Sequence, residues 1–276
     1  QWGTGSHAGH NCMALWVGDQ LYIVESQNAP YWPKAGIQMT PYKQWIKWAR
    51  NADYMVTWIP LKKEYSERFN ATAAYEFFKT LEGMPYGFPS FAFTWIDTKD
   101  ANYPSIVDPQ FFAPFFAAMD KVSPLISEQI CSLGLNMRLG TENLNVSQIV
   151  EEVYKRNMTL EELYAIPEQE GWMYPDGPSY VCSSLVVALW KAGGLFGDTV
   201  INSVEFTGTD LYRLTFLDPN PEVPENCKAL DPENRFCQIM GAWRMEFPDI
   251  STIEPYDHMN ERCPTIPPLY ERPAGC

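Results

Sequence analysis

The segment that most restricts the fold is Tyr180-Val-Cys-Ser-Ser-Leu-Val-Val-Ala-Leu-Trp190. Leu185, Val186 and Leu189 recur at helical spacing and Gly193-Gly194 provide a stop, so the stretch predicts a buried helix. Its apolar run is broken at Lys191, far short of the roughly 20 apolar residues that a bilayer span requires. The chain must build a core around this helix. With 276 residues, 46% of them apolar, it has the material, and one large domain or a domain with an appendage is expected.

Charge narrows the partners. The 34 acidic residues outnumber the 20 basic ones and leave a net charge of −14, a surface that repels phosphate backbones and anionic headgroups. Nucleic acid and a basic membrane-binding face are therefore excluded as expectations, and no transmembrane segment is expected. There is no signal-peptide pattern and no initiator Met, so Gln1 reads as the end of a processed chain, and an upstream processed chain is admitted as a partner.

Asn70-Ala-Thr, Asn145-Val-Ser and Asn157-Met-Thr are glycosylation sequons. With seven cysteines at spacings that fit no zinc ribbon or CxxC motif, they point to the secretory route, outside the cell or in an endomembrane or lysosomal lumen. No metal or other cofactor is implied. No internal repeat is present. From Pro219 to Cys276 the chain holds ten prolines and four cysteines, which reads as a disulfide-pinned extension over residues 217–276 packed on a main body of residues 1–216.

Within the body, Asn11 to Val17 and Leu21 to Glu25 predict a β-hairpin closed at Gly18-Asp19. Thr40-Pro41 reads as a hydroxyl cap and first-turn proline of a short helix containing Trp45, Ile46 and Ala49. Asp53 to Leu61 reads as a strand and Ser66 to Glu82 as one longer helix. Two short helices follow at Ser147 to Tyr154 and at Thr159 to Ile166, the second with a Thr159-x-x-Glu162 capping box.

The predicted helix carries Cys182 in its first turn, where unpaired backbone N–H groups and partial positive charge favour thiolate over thiol. A buried hydrophobe or a disulfide partner is the simpler reading of such a cysteine, unless a base stands beside it. Only His7, His10 and His258 can supply an imidazole. A two-residue turn at Gly18-Asp19 places Cys12 opposite Glu25 and His10 diagonally across from Glu25 on the same sheet face, whereas His7 has the opposite parity. A carboxylate on an imidazole fixes its tautomer and favours its charged form, the arrangement a cysteine nucleophile uses.

These residues resemble the circularly permuted NlpC/P60 papain-like hydrolases. The resemblance covers residues 1–195 and rests on Gly9-His10 before the first strand, Leu21-Tyr-Ile-Val-Glu25, Thr40-Pro-Tyr-Lys-Gln-Trp-Ile46, Gly83-Met-Pro-Tyr86 and Cys182-Ser-Ser-Leu-Val186. It implies an α+β papain-like fold, an antiparallel sheet packed on the helix that bears the cysteine. It also implies that Cys182 is nucleophile, His10 general base and Glu25 its orienting partner. The chain departs from the family where Ser184 replaces the usual Glu after Cys-Ser and where the aromatic residue before the cysteine is displaced to Tyr180. Reserving Cys182 as a free thiol leaves Cys12, Cys131, Cys227, Cys237, Cys263 and Cys276 as an even set for three disulfides.

The reading is a cysteine hydrolase, a thiol amidase or peptidase, acting through an acyl-enzyme on a small-molecule, peptide or lipid substrate. One rival is a lipid acyltransferase or phospholipase on the same scaffold, with an apolar tunnel lined by the Phe111 to Phe116 cluster. The other is a secreted binding protein without turnover, whose thiol has ordinary reactivity.

Overall fold

The computed structural model describes residues 7–96 and 112–261 and has a mixed α+β architecture. Strands β1 (Met13–Val17), β2 (Gln20–Gln27) and β3 (Gly36–Pro41) form an antiparallel sheet in that order. Helix α1 (Tyr42–Asn51), strand β4 (Val56–Trp58) and helices α2 (Lys63–Arg68) and α3 (Ala71–Leu81) follow. A run of helices comes next: α4 (Phe88–Phe91), α5 (Phe93–Ile96), α6 (Phe112–Val122), α7 (Pro124–Ser127), a π-turn at Glu128–Ser132, α8 (Leu133–Leu139), α9 (Val146–Lys155) and α10 (Leu160–Tyr164). The cysteine helix α11 (Cys182–Ala192) leads into α12 (Gly208–Arg213), α13 (Glu225–Lys228) and β5 (Cys237–Met240), which pairs antiparallel with β4.

Three clusters of apolar side chains organise these elements. The largest surrounds α11, in which every residue from Ser183 to Trp190 is buried, with α3 and one face of the sheet against it. Strand alternation sends Met13, Leu15, Val24 and Ile37 to this side. The other face, with Ile23, receives Trp45 and Ala49 of α1 together with Trp32. Residues after Pro219 contribute Phe236 and Phe247 to the main core, and the Cys227–Cys237 disulfide ties α13 to β5.

The helices between Phe88 and Tyr174 enclose a separate cluster around Phe93, Leu135, Ile149 and Leu163. Phe116 is buried in it, whereas Phe115 faces solvent and Phe111 lies outside the described residues. A polar knot joins this layer to the chain leaving α11. Arg138 and Glu168, both buried, pair at 2.9 Å, the Tyr174 hydroxyl donates to Glu168, and the Glu168 N–H donates to Glu205. The guanidinium also lies over the Phe93 ring at 4.3 Å.

Several local expectations change. Thr40 and Pro41 end β3, pairing with Ile23 and Tyr22, so that Pro41 rather than Thr40 stands at the cap position of α1, which starts at Tyr42 without a side-chain cap. The strand expected from Asp53 to Leu61 is confined to Val56–Trp58, which pairs with the short β5 and is bulged between Val56 and Thr57, while Leu61 makes only an isolated bridge to Leu217. The helix expected from Ser66 to Glu82 is two helices. Asn70 interrupts it by turning its side-chain oxygen to the Ala73 N–H at 3.0 Å, offering the backbone a partner that competes with a continuous helix. Both later helices form, each behind a complete capping box, from Asn145 and from Thr159. All three sequon asparagines are exposed, and Asn157 sits in a turn at φ +55°.

Cys227 and Cys237 are bridged as a pair, but Cys12 and Cys131 are free thiols, against the expectation that both join disulfides. Their side chains are held in different clusters, Cys12 against the tryptophan face of the sheet and Cys131 inside the helical layer. Cys263 and Cys276 lie outside the described residues.

Removing one partner of a buried ion pair leaves the other charge uncompensated, at a cost of about 3–5 kcal/mol. Arg138→Met should lower unfolding stability by an amount in that range in urea titration, and Arg138→Met with Glu168→Leu should recover most of it. A single variant as stable as the wild type would contradict this account.

Candidate active site

Cys182 is the first residue of α11, and the preceding Val181 provides no side-chain cap. The free end of the helix is therefore turned to the sulfur. The backbone N–H groups of Ser183, within the first turn, and of Asn11, in the lead-in to β1, act on the sulfur and favour its charged form. The approach of these two segments is set by backbone contacts. The Gly87 N–H donates to the Tyr180 carbonyl at 3.0 Å, and a Cβ at Gly87 would stand only 2.4 Å from the Tyr180 nitrogen. On the sheet side, the Ser26 hydroxyl donates to the same Tyr180 carbonyl at 2.9 Å.

The hairpin closes as expected, with Val17 opposite Gln20 and Met13 opposite Val24, and with Gly18 at φ +61° in the turn. Continued outward, that register sets Cys12 opposite Glu25 and His10 diagonally beyond it. His10 Nε2 lies 2.9 Å from Glu25 Oε2. With Nε2 engaged, Nδ1 is the ring nitrogen left for the Cys182 sulfur, whose interaction with the imidazole favours the charged form of both. The structure thus brings together Cys182, His10 and Glu25, from three segments of the chain. His7 is exposed and His258 lies against Glu261 at 3.4 Å; neither stands at Cys182.

The electrostatics follow from this order. Burial opposes a thiolate at Cys182, but the His10 hydrogen bond and positive charge, with the Asn11 and Ser183 N–H groups, hold the thiol below its ordinary value. Burial likewise opposes an imidazolium at His10, and its bonds to Cys182 and Glu25 and their negative charges overcome this, raising it to about 10. Cys12, two residues away, has the reverse balance. Burial and the negative charges of Glu25 and Cys182 push its thiol well up, so it is a neutral neighbour. Because it is not bridged, no disulfide stands beside His10 and Glu25 at this position.

Two side chains that sequence reasoning did not single out belong to the site. The Tyr86 hydroxyl interacts with the Cys182 sulfur and backbone N–H, and burial followed by the cysteine's charge pushes it well above its usual range. It is carried there by Ile37 and the Gly83-Met-Pro-Tyr86 segment, whose backbones exchange hydrogen bonds: the Ile37 N–H donates to Met84 at 2.7 Å and the Gly83 N–H to Ile37 at 2.9 Å. The backbones pack so closely that a Cβ at Gly36 would lie 2.4 Å from the Met84 carbonyl oxygen. The second is Trp45, whose Nε1–H donates to Glu25 Oε1 at 3.1 Å. Both fall within motifs quoted for the resemblance, which was the available signal, but nothing in their spacing gives their partners. Among the described residues no cluster of three His, Cys, Asp or Glu side chains could hold a metal ion.

The arrangement yields one activated thiol among the three free ones of the described residues. Iodoacetamide alkylation of the unreduced protein, followed by peptide mapping, should label Cys182 ahead of Cys12 and Cys131, with a midpoint below the free-thiol value of about 8.5. His10→Gln should slow labelling of Cys182 at pH 7 by about tenfold or more, since one unit of pKa is a factor of ten in thiolate below the midpoint. Equal labelling of the three thiols would sink this reading of the site.

No protein-family model, curated protein or solved structure matches the chain.

Proposed function

We propose that the protein is a cysteine hydrolase of the circularly permuted, papain-like NlpC/P60 kind, an amidase or peptidase working through an acyl-enzyme on Cys182. The single observation that carries the reading is His10, held between the Cys182 sulfur and the Glu25 carboxylate. The thiolate attacks the substrate carbonyl carbon, forming a C–S bond while the carbonyl oxygen takes up the negative charge. The N–H groups at the start of α11 and the Tyr86 hydroxyl, all beside the sulfur, are the donors available to that oxygen. His10 then protonates the leaving amine as the C–N bond breaks. In the second half His10 takes a proton from water, hydroxide adds to the thioester, and the acid and the Cys182 thiolate are released. Glu25 keeps the imidazole in the tautomer that makes both transfers possible.

A second reading, turnover of a lipid ester on the same scaffold, is favoured by one feature. Tyr86 packs with Phe88 and Phe91 at centroid distances of 5.2 and 6.2 Å, and Phe91 is half exposed, which gives the cysteine an apolar neighbour suited to an acyl chain. The Cys227–Cys237 disulfide, the exposed sequon asparagines and the absence of a described helix able to cross a membrane support an extracellular or endomembrane-lumen setting.

A panel of amide and ester substrates should give an acyl adduct on Cys182, detected by intact mass, that is lost in Cys182→Ala along with at least about a thousandfold of the rate. The rate should rise with pH through the depressed Cys182 value and decline as His10 loses its proton near 10. Burst release from amides favours the first reading, and from esters alone the second. Turnover that survives Cys182→Ala, or a wild-type thiol of ordinary reactivity, would refute both.

A further inference from the structure

We propose that Trp45 is a positioning residue, whose indole N–H selects and holds the one rotamer of the Glu25 carboxylate that meets His10. The inference rests on the hydrolase reading of the site.

Glu25 sits in the middle strand of the sheet, paired on one side with β3 through Gln38, and its backbone has no freedom to adjust. Its side chain is fully buried. Two hydrogen bonds reach the carboxylate among the described residues, one to each oxygen: His10 Nε2 to Oε2 at 2.9 Å and Trp45 Nε1 to Oε1 at 3.1 Å. With donors on both oxygens the plane of the group is fixed. With His10 alone, rotation about the terminal torsion, which is broad for a carboxylate, would be free. Gln38, directly opposite on the same face, does not take this place, since its amide nitrogen donates to the Lys34 carbonyl.

Packing alone does not account for the Trp45 contact. Trp45 is buried in a cluster with Trp32, whose ring lies 5.9 Å away, yet the Trp32 Nε1–H is buried without a hydrogen-bond partner among the described residues. The cluster tolerates an indole whose N–H does no work. The N–H of Trp45, placed by the first turns of α1, is aimed at the acid instead.

The consequence is measurable at the sulfur. A carboxylate that loses the donor on Oε1 is no longer held in the plane that meets His10 Nε2, and the imidazolium that holds the thiolate loses part of its support. The other titratable groups facing this set are Cys12 of the first strand's lead-in, Tyr54 after α1 and Tyr86; burial pushes all three upward, so they stay neutral over the range tested.

The test is the pH profile of Cys182 alkylation in the full chain, which needs no substrate. Trp45→Phe keeps an aromatic ring, and 3-benzothienylalanine at position 45 keeps the indole's shape while replacing the N–H by sulfur. Both should move the acid limb of the profile up by about one pH unit, the worth of one hydrogen bond to a charged group. Trp48→Phe, a change in the same aromatic cluster, should leave it in place. If the wild-type thiol is depressed and the benzothienylalanine protein has the same profile, the positioning role is overturned and the hydrolase reading stands. If the wild-type thiol titrates in the ordinary range, both are overturned together.

Discussion

A helix with no polar face has to be covered on every side, and the placement of everything around α11 answers to that requirement. Burying a side chain such as Leu185 or Leu189 is worth about 1.5–3 kcal/mol, and the helix buries Leu185, Val186, Val187, Leu189 and Trp190 together. The sheet supplies one wall, α3 another, and the aromatic residues after Phe196 a third. Covering Ser183 to Trp190 leaves the two ends of the helix near the surface, Lys191 at one and Cys182 at the other. Cys182 is half-buried there, where backbone N–H groups have no side-chain cap.

The charges at this end survive burial because they alternate. Sulfur, imidazole, carboxylate and indole N–H follow one another, each facing a group of opposite sign or a donor. Cys12 provides the internal comparison. It shares the surroundings and the loss of solvent but meets negative neighbours only, and its thiol moves in the opposite direction. Two cysteines in one place differ in chemistry because one has an imidazole beside it and the other does not.

Much of the candidate site was legible because it depends on short-range rules. A two-residue turn sets a hairpin register, and that register puts His10 diagonally across from Glu25. A helix with an apolar stripe and a Gly-Gly stop puts Cys182 in the first turn. The third strand was not legible, because Thr40-Pro41 satisfies the rules of a helix start and only pairing with Ile23 and Tyr22 makes it a strand end. The break at Asn70 was hidden by the apolar pattern running through it. Trp45 was visible as an apolar residue of α1, but an indole N–H gives no sign in sequence of an acceptor twenty residues earlier. The free state of Cys12 and Cys131 depends on which cluster each side chain enters, which spacing does not specify.

Asn70 and Asn145 hold their helices through the amide oxygen, which receives the N–H of Ala73 and of Gln148 respectively. An N-linked sugar is joined through the amide nitrogen. Decoration of either residue would therefore leave its grip on the helix intact, and chain folding and sugar attachment need not compete for the same atom.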